Sequence, residues 1–502
     1  MNFDYIISNG LVYDGTLSNP CKSDIGIMND RISFIGKISE KQSNKIIDAK
    51  NMIVTPGFID IHTHCDLSFK QFTKNIIKDS ISNECINNSN FLFQGVTSVI
   101  TGNCGLGYSN TNNWLDFIKR IDFKSNVYHL VPHGSIREDL FGKNQPFLLS
   151  DMELKLLKKR IALEIENGAI GVSLGLEYAP GCFASQSELL EIARTVKKHN
   201  CILAVHLRSE LGINNEELSI LDAIDEVINI CKVTGVSLEI SHLKLGKPRM
   251  GIRIDQVIDK IIKAKNSGLD ISFDHYPYEA GNTMLSFLLP NKYKEGSGLK
   301  LKYKNKLGRI EIKETLKDLF NHIDPKDIIV SYYPSHPEFE SLNLSQIAIE
   351  QDIDLLDCYI DMLFEDVIPW AIFFLSDEND IREISKLKDV ITVSDGWTVD
   401  KKMQNPHPRL YGSFPRKIKK YFIDEKVIDL KSVIRSMTSL PAEKFGIKNR
   451  GKIMEGNYAD IAIIDLDKLQ DKATYLSPHQ YSEGVEYLFL NGKLVIKEGC
   501  LV

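Results

Sequence analysis

The stretch Phe58-Ile59-Asp60-Ile61-His62-Thr63-His64 decides the fold and indicates where the chemistry lies. It is largely apolar up to its two histidines and follows Thr55-Pro56-Gly57, a pattern that predicts a short buried strand. Because side chains alternate faces along a strand, His62 and His64 point in the same direction. Two neutral imidazoles at one strand end can share a metal ion, although many His-x-His pairs are merely solvated.

The composition is that of an ordinary globular protein. The chain has 502 residues, of which 43% are apolar and 25% charged, and this length is enough for more than one domain. The formal net charge of -6 gives no support to nucleic-acid binding, which would favour a basic patch. The densest basic clusters, at 158–160 and 416–420, are typical of solvated helix faces.

Targeting signals and disulfide patterns are not evident in the sequence. There is no apolar run of the roughly 18 residues that a membrane span needs, and residues 1–5 lack the basic region of a secretion signal. The nine cysteines have no framework spacing, which favours reduced thiols or metal ligands over disulfides. We therefore expect a cytoplasmic protein without membrane or nucleic-acid partners.

Both ends of the chain alternate in the manner of short strands. The segment 487–496 is a hairpin signal, since Asn491-Gly492 stands between two apolar runs. We predict that residues 1–54 and 447–502 together form one small β-sandwich domain.

The middle of the chain alternates between apolar strands and helical segments such as 185–199 and 255–267, a pattern typical of α/β folds with a parallel sheet. Eight such strands suit a TIM (β/α)8 barrel, which we predict over 55–446. The gap between the seventh and eighth strands is too long for a plain crossover, so we expect an inserted lid subdomain over 285–345. The strands are predicted to end at His64, Cys104, His133, Leu174, His206, His242, Asp274 and Asp395.

Metal-ligand residue types recur at these strand ends, where a TIM barrel places its active site. Each one alone has an ordinary explanation. Cys104 could be a buried small hydrophobe, His206 or His242 a core histidine, and Asp395 a helix N-cap. Their convergence on one face is much less expected by chance, and a thiolate combined with imidazoles favours zinc. The predicted ligands are His62, His64, Cys104, His206 and His242.

This ligand set predicts a reaction type. Zinc lowers the pKa of a bound water toward ~7 and polarises a carbonyl group. Asp395 beside that water can take its proton and then pass it to a leaving amine, acting first as a base and then as an acid. The sequence thus predicts metal-assisted hydrolysis of an amide.

Over nearly its whole length the chain also resembles the amidohydrolase superfamily, and within it the N-acyl-D-amino-acid deacylases (D-aminoacylases). The cysteine motif is the specific part, because many other members bridge two metals with a carboxylated lysine on the fourth strand. Residues 171–178 contain no lysine, which argues against a site of the hydantoinase or dihydroorotase type. The motifs that carry the resemblance are Asn9-Gly10, Asp14-Gly15, Pro56-Gly57-Phe58-Ile59-Asp60-Ile61-His62-Thr63-His64, Gly95-Val96-Thr97-Ser98-Val99, Gly102-Asn103-Cys104-Gly105, His206-Leu207-Arg208-Ser209-Glu210, Ser241-His242-Leu243-Lys244, Ser394-Asp395-Gly396, His407-Pro408-Arg409, Gly412-Ser413-Phe414-Pro415-Arg416 and Gly456-Asn457-Tyr458-Ala459-Asp460.

The resemblance implies a role for each of these site residues. The tighter zinc would be held by Cys104, His206 and His242, and a second, weaker or vacant site by His62 and His64. Asp395 would be the catalytic acid and base. The substrate carboxylate would be bound by Lys244, Tyr276 and Arg409, with Tyr178 lining the pocket and Asn282 standing where the family commonly has a serine.

The expected function is therefore zinc-dependent hydrolysis of the linear amide of N-acyl-D-amino acids, with one or two zinc ions per chain and a small-molecule substrate. Two alternatives stay open. One is another amidohydrolase reaction, on a cyclic amide or a dipeptide-like substrate. The other is a non-catalytic scaffold, which is disfavoured because all five ligand positions and Asp395 are present. The sequence is compatible with a homo-oligomer.

Overall fold

A barrel of eight parallel strands forms the centre of the protein. The computed structural model describes residues 2–43, 45–72, 81–142, 148–212, 218–294, 306–365, 367–400 and 405–502. The barrel strands follow one another around the sheet in chain order, and each neighbouring pair in that order is parallel. They are Phe58–Asp60, Val96–Thr101, Asn126–Pro132, Gly171–Gly175, Ile202–His206, Ser237–Ile240, Ile271–His275 and Ile391–Thr392. The prediction of a TIM barrel is confirmed.

The first and eighth strands meet through the loops that carry His62, His64 and Asp395. The Asp395 amide donates to the His62 carbonyl at 3.0 Å, and the His64 amide donates to the Gly396 carbonyl at 2.7 Å. The buried Asp60 carboxylate accepts from the His62 amide at 3.1 Å and from the Ser394 amide at 3.2 Å. One carboxylate thus holds two strand ends together, and with them the side chains that they present.

Amphipathic helices surround the barrel, as the apolar spacing of the sequence predicts. In the helix Gln186–Lys198 the Ser185 hydroxyl accepts from the Glu188 amide, and Leu189 and Ile192 are buried against the strands. The α-helices are Asn83–Asn87, Ser89–Leu92, Thr111–Ile121, His133–Phe141, Asp151–Glu166, Gln186–Lys198, Ile220–Thr234, Ile254–Asn266, Lys306–Phe320, Leu344–Glu350, Leu355–Met362, Glu378–Ser385, Arg409–Arg416, Leu430–Met437 and Ser439–Lys444, and a π-helix spans Lys417–Asp424.

The two ends of the chain form two further sheets with an apolar cluster between them. The predicted hairpin is present, and at its turn Asn491 and Gly492 have φ of 50° and 76°, values typical of a type I′ turn. The four-stranded sheet contains Tyr5–Ser8, Asp24–Met28, Arg31–Gly36 and Ile46–Asp48. The seven-stranded sheet contains Leu11–Val12, Cys21–Lys22, Ile53–Pro56, Ile461–Ile464, Val485–Leu490, Lys493–Lys497 and Cys500–Leu501. The domain bounds at 54 and 447 stay a prediction.

A separate α/β unit is inserted between the seventh and eighth barrel strands. Its antiparallel sheet places Trp370–Phe373 between Gly281–Met284 and Ile328–Tyr332, and helices cover it through their own apolar cluster. The strands of this unit lie between residues 281 and 373, so the unit is wider than the expected range 285–345. Residues 295–305 of that range lie outside the described residues.

Across the described ranges, no helix has both the length and the apolar character that crossing a bilayer would require.

Asp60→Ala should destabilise the protein, because it leaves the amides of His62 and Ser394 buried without their acceptor. We expect a loss of about 1 to 3 kcal/mol in the free energy of unfolding, measured as a lower urea midpoint. Asp60→Asn keeps one acceptor oxygen, so its free energy of unfolding should fall by less than that of Asp60→Ala. An unchanged midpoint for Asp60→Ala would contradict this role.

Candidate metal centre

The predicted ligands meet at the carboxyl end of the barrel, around the thiol of Cys104. Its Sγ lies 3.3 Å from Nε2 of His62 and 3.4 Å from Nε2 of His242. Ligand atoms on one tetrahedral zinc, with Zn–S of ~2.3 Å and Zn–N of ~2.0 Å, lie roughly 3.3 to 3.5 Å apart. The distances from Cys104 match that separation, so the donor set fits zinc.

The five ligand residues form two overlapping groups. In the first, Cys104 joins His206 and His242, whose Nδ1 and Nε2 atoms are 2.9 Å apart. In the second, Cys104 joins His62 and His64. Within each group the ligand atoms lie within 4.8 Å of one another, and all the side chains are buried. Cys104 belongs to both groups, so the arrangement fits one ion or two ions that share the thiolate.

Three of these functional residues have a left-handed backbone although none of them is glycine. The φ angles are 53° at Cys104, 33° at His242 and 50° at Asp395. Such conformations are sparsely populated, cost of order 1–3 kcal/mol each, and cluster at functional sites. At His242 the conformation is held by a 2.6 Å hydrogen bond from its amide to Oδ1 of Asp274. The backbone thus turns at the ends of three different strands, where the site is built.

Three buried carboxylates that the sequence analysis did not select contact the ligand histidines. Glu177 Oε2 is 3.1 Å from Nε2 of His206, and Glu210 Oε1 is 2.9 Å from Nδ1 of His242. Asp274 Oδ1 is 3.5 Å from Nδ1 of His62. Carboxylates in such positions orient metal-binding imidazoles and raise their basicity. The available signal was their position near the carboxyl ends of barrel strands.

Burial favours the neutral, metal-binding form of His62, His206 and His242. Burial lowers the pKa of His62 to about 3 and that of His206 to about 4, and it also lowers the pKa of His242. Burial raises the pKa of the Cys104 thiol, and the neighbouring Asp395 carboxylate raises it further. A bound cation would offset this, since metal binding displaces the thiol proton.

Asp395 lies between the second ligand group and an arginine. Its Oδ1 is 3.2 Å from Nε2 of His64 and 3.6 Å from Nε2 of His62, while its Oδ2 is 2.9 Å from Nη2 of Arg409. Burial alone would raise the pKa of Asp395, but Arg409 and the histidines hold it well below its usual range. The carboxylate is therefore ionised and can accept a proton.

The predicted substrate-binding residues border one cavity, the site cavity, together with ligand residues. Lys244 Nζ is 2.6 Å from a Glu210 carboxylate oxygen. The hydroxyl of Tyr276 and two donor atoms of Arg409, Nε and Nη1, are buried and find no hydrogen-bond partner within the described part of the chain. The residues of the site that line this cavity are Tyr178, His206, His242, Lys244, Tyr276, Asn282, Asp395 and Arg409.

The remaining two predicted pocket residues make local hydrogen bonds at the rim. The Tyr178 hydroxyl accepts from Thr283 Oγ1 at 3.1 Å. Asn282 Oδ1 accepts from Ser331 Oγ at 3.0 Å, so the asparagine is held by the inserted unit. Leu211, Phe287, Phe373 and Leu375 form the apolar part of the cavity wall. The cavity therefore combines unused cationic and hydroxyl donors with an apolar surface.

A thiol and imidazoles at the carboxyl end of a TIM barrel, beside an ionised aspartate, fit a metal-dependent hydrolase. Comparison with known proteins agrees. A model of the amidohydrolase family matches residues 361–496. An N-acyl-D-glutamate deacylase from Alcaligenes xylosoxydans xylosoxydans is 29% identical, over 99% of this chain and 94% of its own length.

Two solved structures resemble the whole protein. An N-acyl-D-glutamate deacylase from Bordetella bronchiseptica, complexed with zinc and a phosphonate inhibitor, has a TM-score of 0.82 at 26% identity, covering 99% of this chain and 97% of that one. A D-aminoacylase studied for its binuclear metal centre has a TM-score of 0.80 at 28% identity, covering 99% and 98%. Over almost its whole length the chain is thus similar to D-aminoacylases and N-acyl-D-glutamate deacylases, and these matches support the amidohydrolase family.

Replacing the central thiol should remove most of the bound metal. We expect Cys104→Ala to retain much less zinc than the wild type after dialysis against a weak chelator, because both ligand groups include this residue. Metal content per chain, measured by plasma mass spectrometry, checks the prediction. Cys231→Ala is the matched control, since Cys231 is also buried but lies in the helix Ile220–Thr234. Equal zinc in the two variants would contradict the assignment.

Proposed function

We propose that the protein hydrolyses the linear amide bond of N-acyl-D-amino acids, releasing a carboxylate and a free D-amino acid, with zinc as the metal. The observation that carries this proposal is the site cavity, where two ligand histidines, Asp395 and the donors for a free carboxylate border the same space. The names of the similar proteins, an N-acyl-D-glutamate deacylase and a D-aminoacylase, support the substrate class and the D configuration.

The residues that would hold zinc are Cys104, His206 and His242 for the tighter ion, with His62 and His64 completing a second position around the same thiolate. When bound, zinc activates a water molecule and polarises the substrate carbonyl. The carboxylates of Glu177, Glu210 and Asp274 contact the imidazoles of His206, His242 and His62 and would help to orient them for metal binding.

Asp395 moves the proton. Because it is ionised and lies 3.2 Å from Nε2 of His64, it can take a proton from the attacking water beside the ligand group. The water oxygen bonds to the acyl carbon, the C–N bond breaks, and Asp395 returns the same proton to the leaving nitrogen, which becomes the free amine. Arg409 holds the second carboxylate oxygen of Asp395 and keeps its orientation through both transfers.

The free carboxylate of the substrate would be bound by polar donors that line the site cavity. The unpartnered donors of Tyr276 and Arg409 face this space, and Lys244 adds a cation whose charge is shared with Glu210. Such donors favour a linear N-acyl amino acid over a hydantoin, which has no free carboxylate. A cytoplasmic location and a homo-oligomeric state stay predictions.

A substrate panel tests the proposed function directly. Zinc-loaded protein should release amine from N-acetyl-D-amino acids, and much less from their L enantiomers, hydantoin or dihydroorotate. Asp395→Asn should keep its zinc while kcat falls about 10²- to 10⁴-fold, the usual contribution of a general acid or base. Ring opening of hydantoin or dihydroorotate, without activity on linear substrates, would instead support the cyclic-amide alternative and refute this one.

The carboxylate site can be tested by removing one hydroxyl. Tyr276→Phe should lower kcat/KM for N-acetyl-D-amino acids about tenfold, since hydrogen bonds to charged groups contribute about 1.5 kcal/mol or more. For the corresponding N-acetyl-D-amino-acid amides, which lack the carboxylate, the same substitution should lower kcat/KM very little. Tyr278→Phe is the control, because the Tyr278 hydroxyl is also buried and unpartnered among the described residues, but Tyr278 is not part of the site cavity. Equal losses in both variants, or for both substrates, would contradict the role.

A further inference from the structure

A second cavity, the tryptophan cavity, lies beside the site cavity. It measures about 170 Å3, and its largest walls are Leu67, Tyr332, Trp370, Trp397 and Pro406. The remaining lining residues are Ser68, Asn282 and Ser331, so the lining residues that the structure describes are all uncharged. The rings of Trp370 and Trp397 meet edge to face, with centroids 5.6 Å apart and an interplanar angle of 69°. The cavity therefore presents aromatic and aliphatic surface with few polar groups.

The walls of the tryptophan cavity are directly connected to the metal centre. The Leu67 amide donates to the His64 carbonyl at 3.0 Å, and Trp397 follows Asp395 by two residues. Ser68 Oγ donates to the Thr398 carbonyl at 2.7 Å, which joins these two segments to each other. Asn282 lines both cavities. The tryptophan cavity thus adjoins the centre on the side of the first and eighth barrel strands.

The shape of an amide decides which half of the substrate would enter each cavity. This step rests on the proposed function, in which the free carboxylate meets Lys244, Tyr276 and Arg409 in the site cavity. A secondary amide is planar and trans, so the acyl group and the α carbon leave the amide bond on opposite sides. With the amino-acid half in the site cavity and the scissile carbonyl at the metal centre, the acyl group points away from Lys244, toward the first and eighth strands.

We propose that the tryptophan cavity binds the acyl group, and that the preferred acyl group is apolar and larger than acetyl, such as an arylacetyl chain or an unbranched chain of five or six carbons. The volume supports this size, because an apolar cavity of roughly 150 Å3 accommodates a benzene ring. Acetyl would leave most of the space without contacts. The indole rings favour aromatic groups, which pack edge to face or offset against them.

An acyl series on one D-amino acid tests the proposal. The wild-type protein is assayed with the N-acetyl, N-butanoyl, N-hexanoyl, N-phenylacetyl and N-succinyl derivatives of the D-amino acid that gives the highest rate. We expect kcat/KM to rise by about threefold per added methylene and to be at least about tenfold higher for phenylacetyl than for acetyl. N-succinyl, whose added carboxylate meets no cation among the described lining residues, should be the poorest.

Two variants locate this preference in the tryptophan cavity. Trp370→Ala removes one aromatic wall, and Leu67→Phe fills the space from the other side. Each should lower the ratio of kcat/KM for phenylacetyl to that for acetyl by at least about fivefold, the effect of losing contact with one to two methylene equivalents. Val367→Ala is the control, since Val367 lies three residues from Trp370, is 50% exposed and does not line the cavity. Its ratio should stay at the wild-type value.

The outcomes separate the two proposals. If no N-acyl-D-amino acid is hydrolysed, the proposed function fails and the acyl preference fails with it. If N-acetyl substrates are hydrolysed but kcat/KM does not rise with acyl size, the function holds and the acyl assignment is overturned. A preference for large acyl groups that both cavity variants leave intact would also overturn it, because the preference would then arise elsewhere in the protein.

Discussion

The balance of buried charge at the end of the barrel is the constraint on which the rest of the structure depends. Four carboxylates, from Glu177, Glu210, Asp274 and Asp395, are buried around the ligand atoms, and Lys244 and Arg409 are the cations paired with two of them. Burial raises the pKa of Glu177 to about 8 and that of Asp274 well above its usual range. A divalent cation would balance the remaining negative charge and favour the ionised carboxylates. The site is thus built for an ion at its centre.

This constraint explains how the surrounding fold is arranged. A TIM barrel brings the ends of eight strands to one face, so one ligand from each of several strands can reach a common point. This arrangement requires a left-handed, strained backbone conformation at Cys104, His242 and Asp395, which reduces the stability of the fold locally. The inserted unit adds walls rather than ligands, since Trp370, Tyr332 and Asn282 border the cavities without touching the ligand groups. The inserted unit thus contributes to the cavity walls, while the candidate metal ligands come from the barrel.

The sequence allowed much of the barrel and of the ligand set to be predicted, because both follow from local patterns. Apolar runs of strand length identified the eight strands, and polar residues at their ends identified Cys104, His206 and His242. Glu210 and Asp274 could not be assigned, because no spacing tells which imidazole nitrogen a distant carboxylate will reach. The tryptophan cavity could not be predicted either. Its walls come from five segments far apart in the chain, and the antiparallel pairing of 370–373 with both 281–284 and 328–332 brings three of them together.

The central proposal is that the Cys104 thiolate and histidine side chains together bind zinc at the metal centre. X-ray absorption at the zinc edge of the zinc-loaded protein tests it most directly, because sulfur and nitrogen neighbours differ in scattering and in distance. The account predicts one sulfur neighbour at ~2.3 Å and nitrogen or oxygen neighbours at ~2.0 Å. A first shell containing only nitrogen and oxygen would contradict it, since Cys104 would then lie outside the metal site.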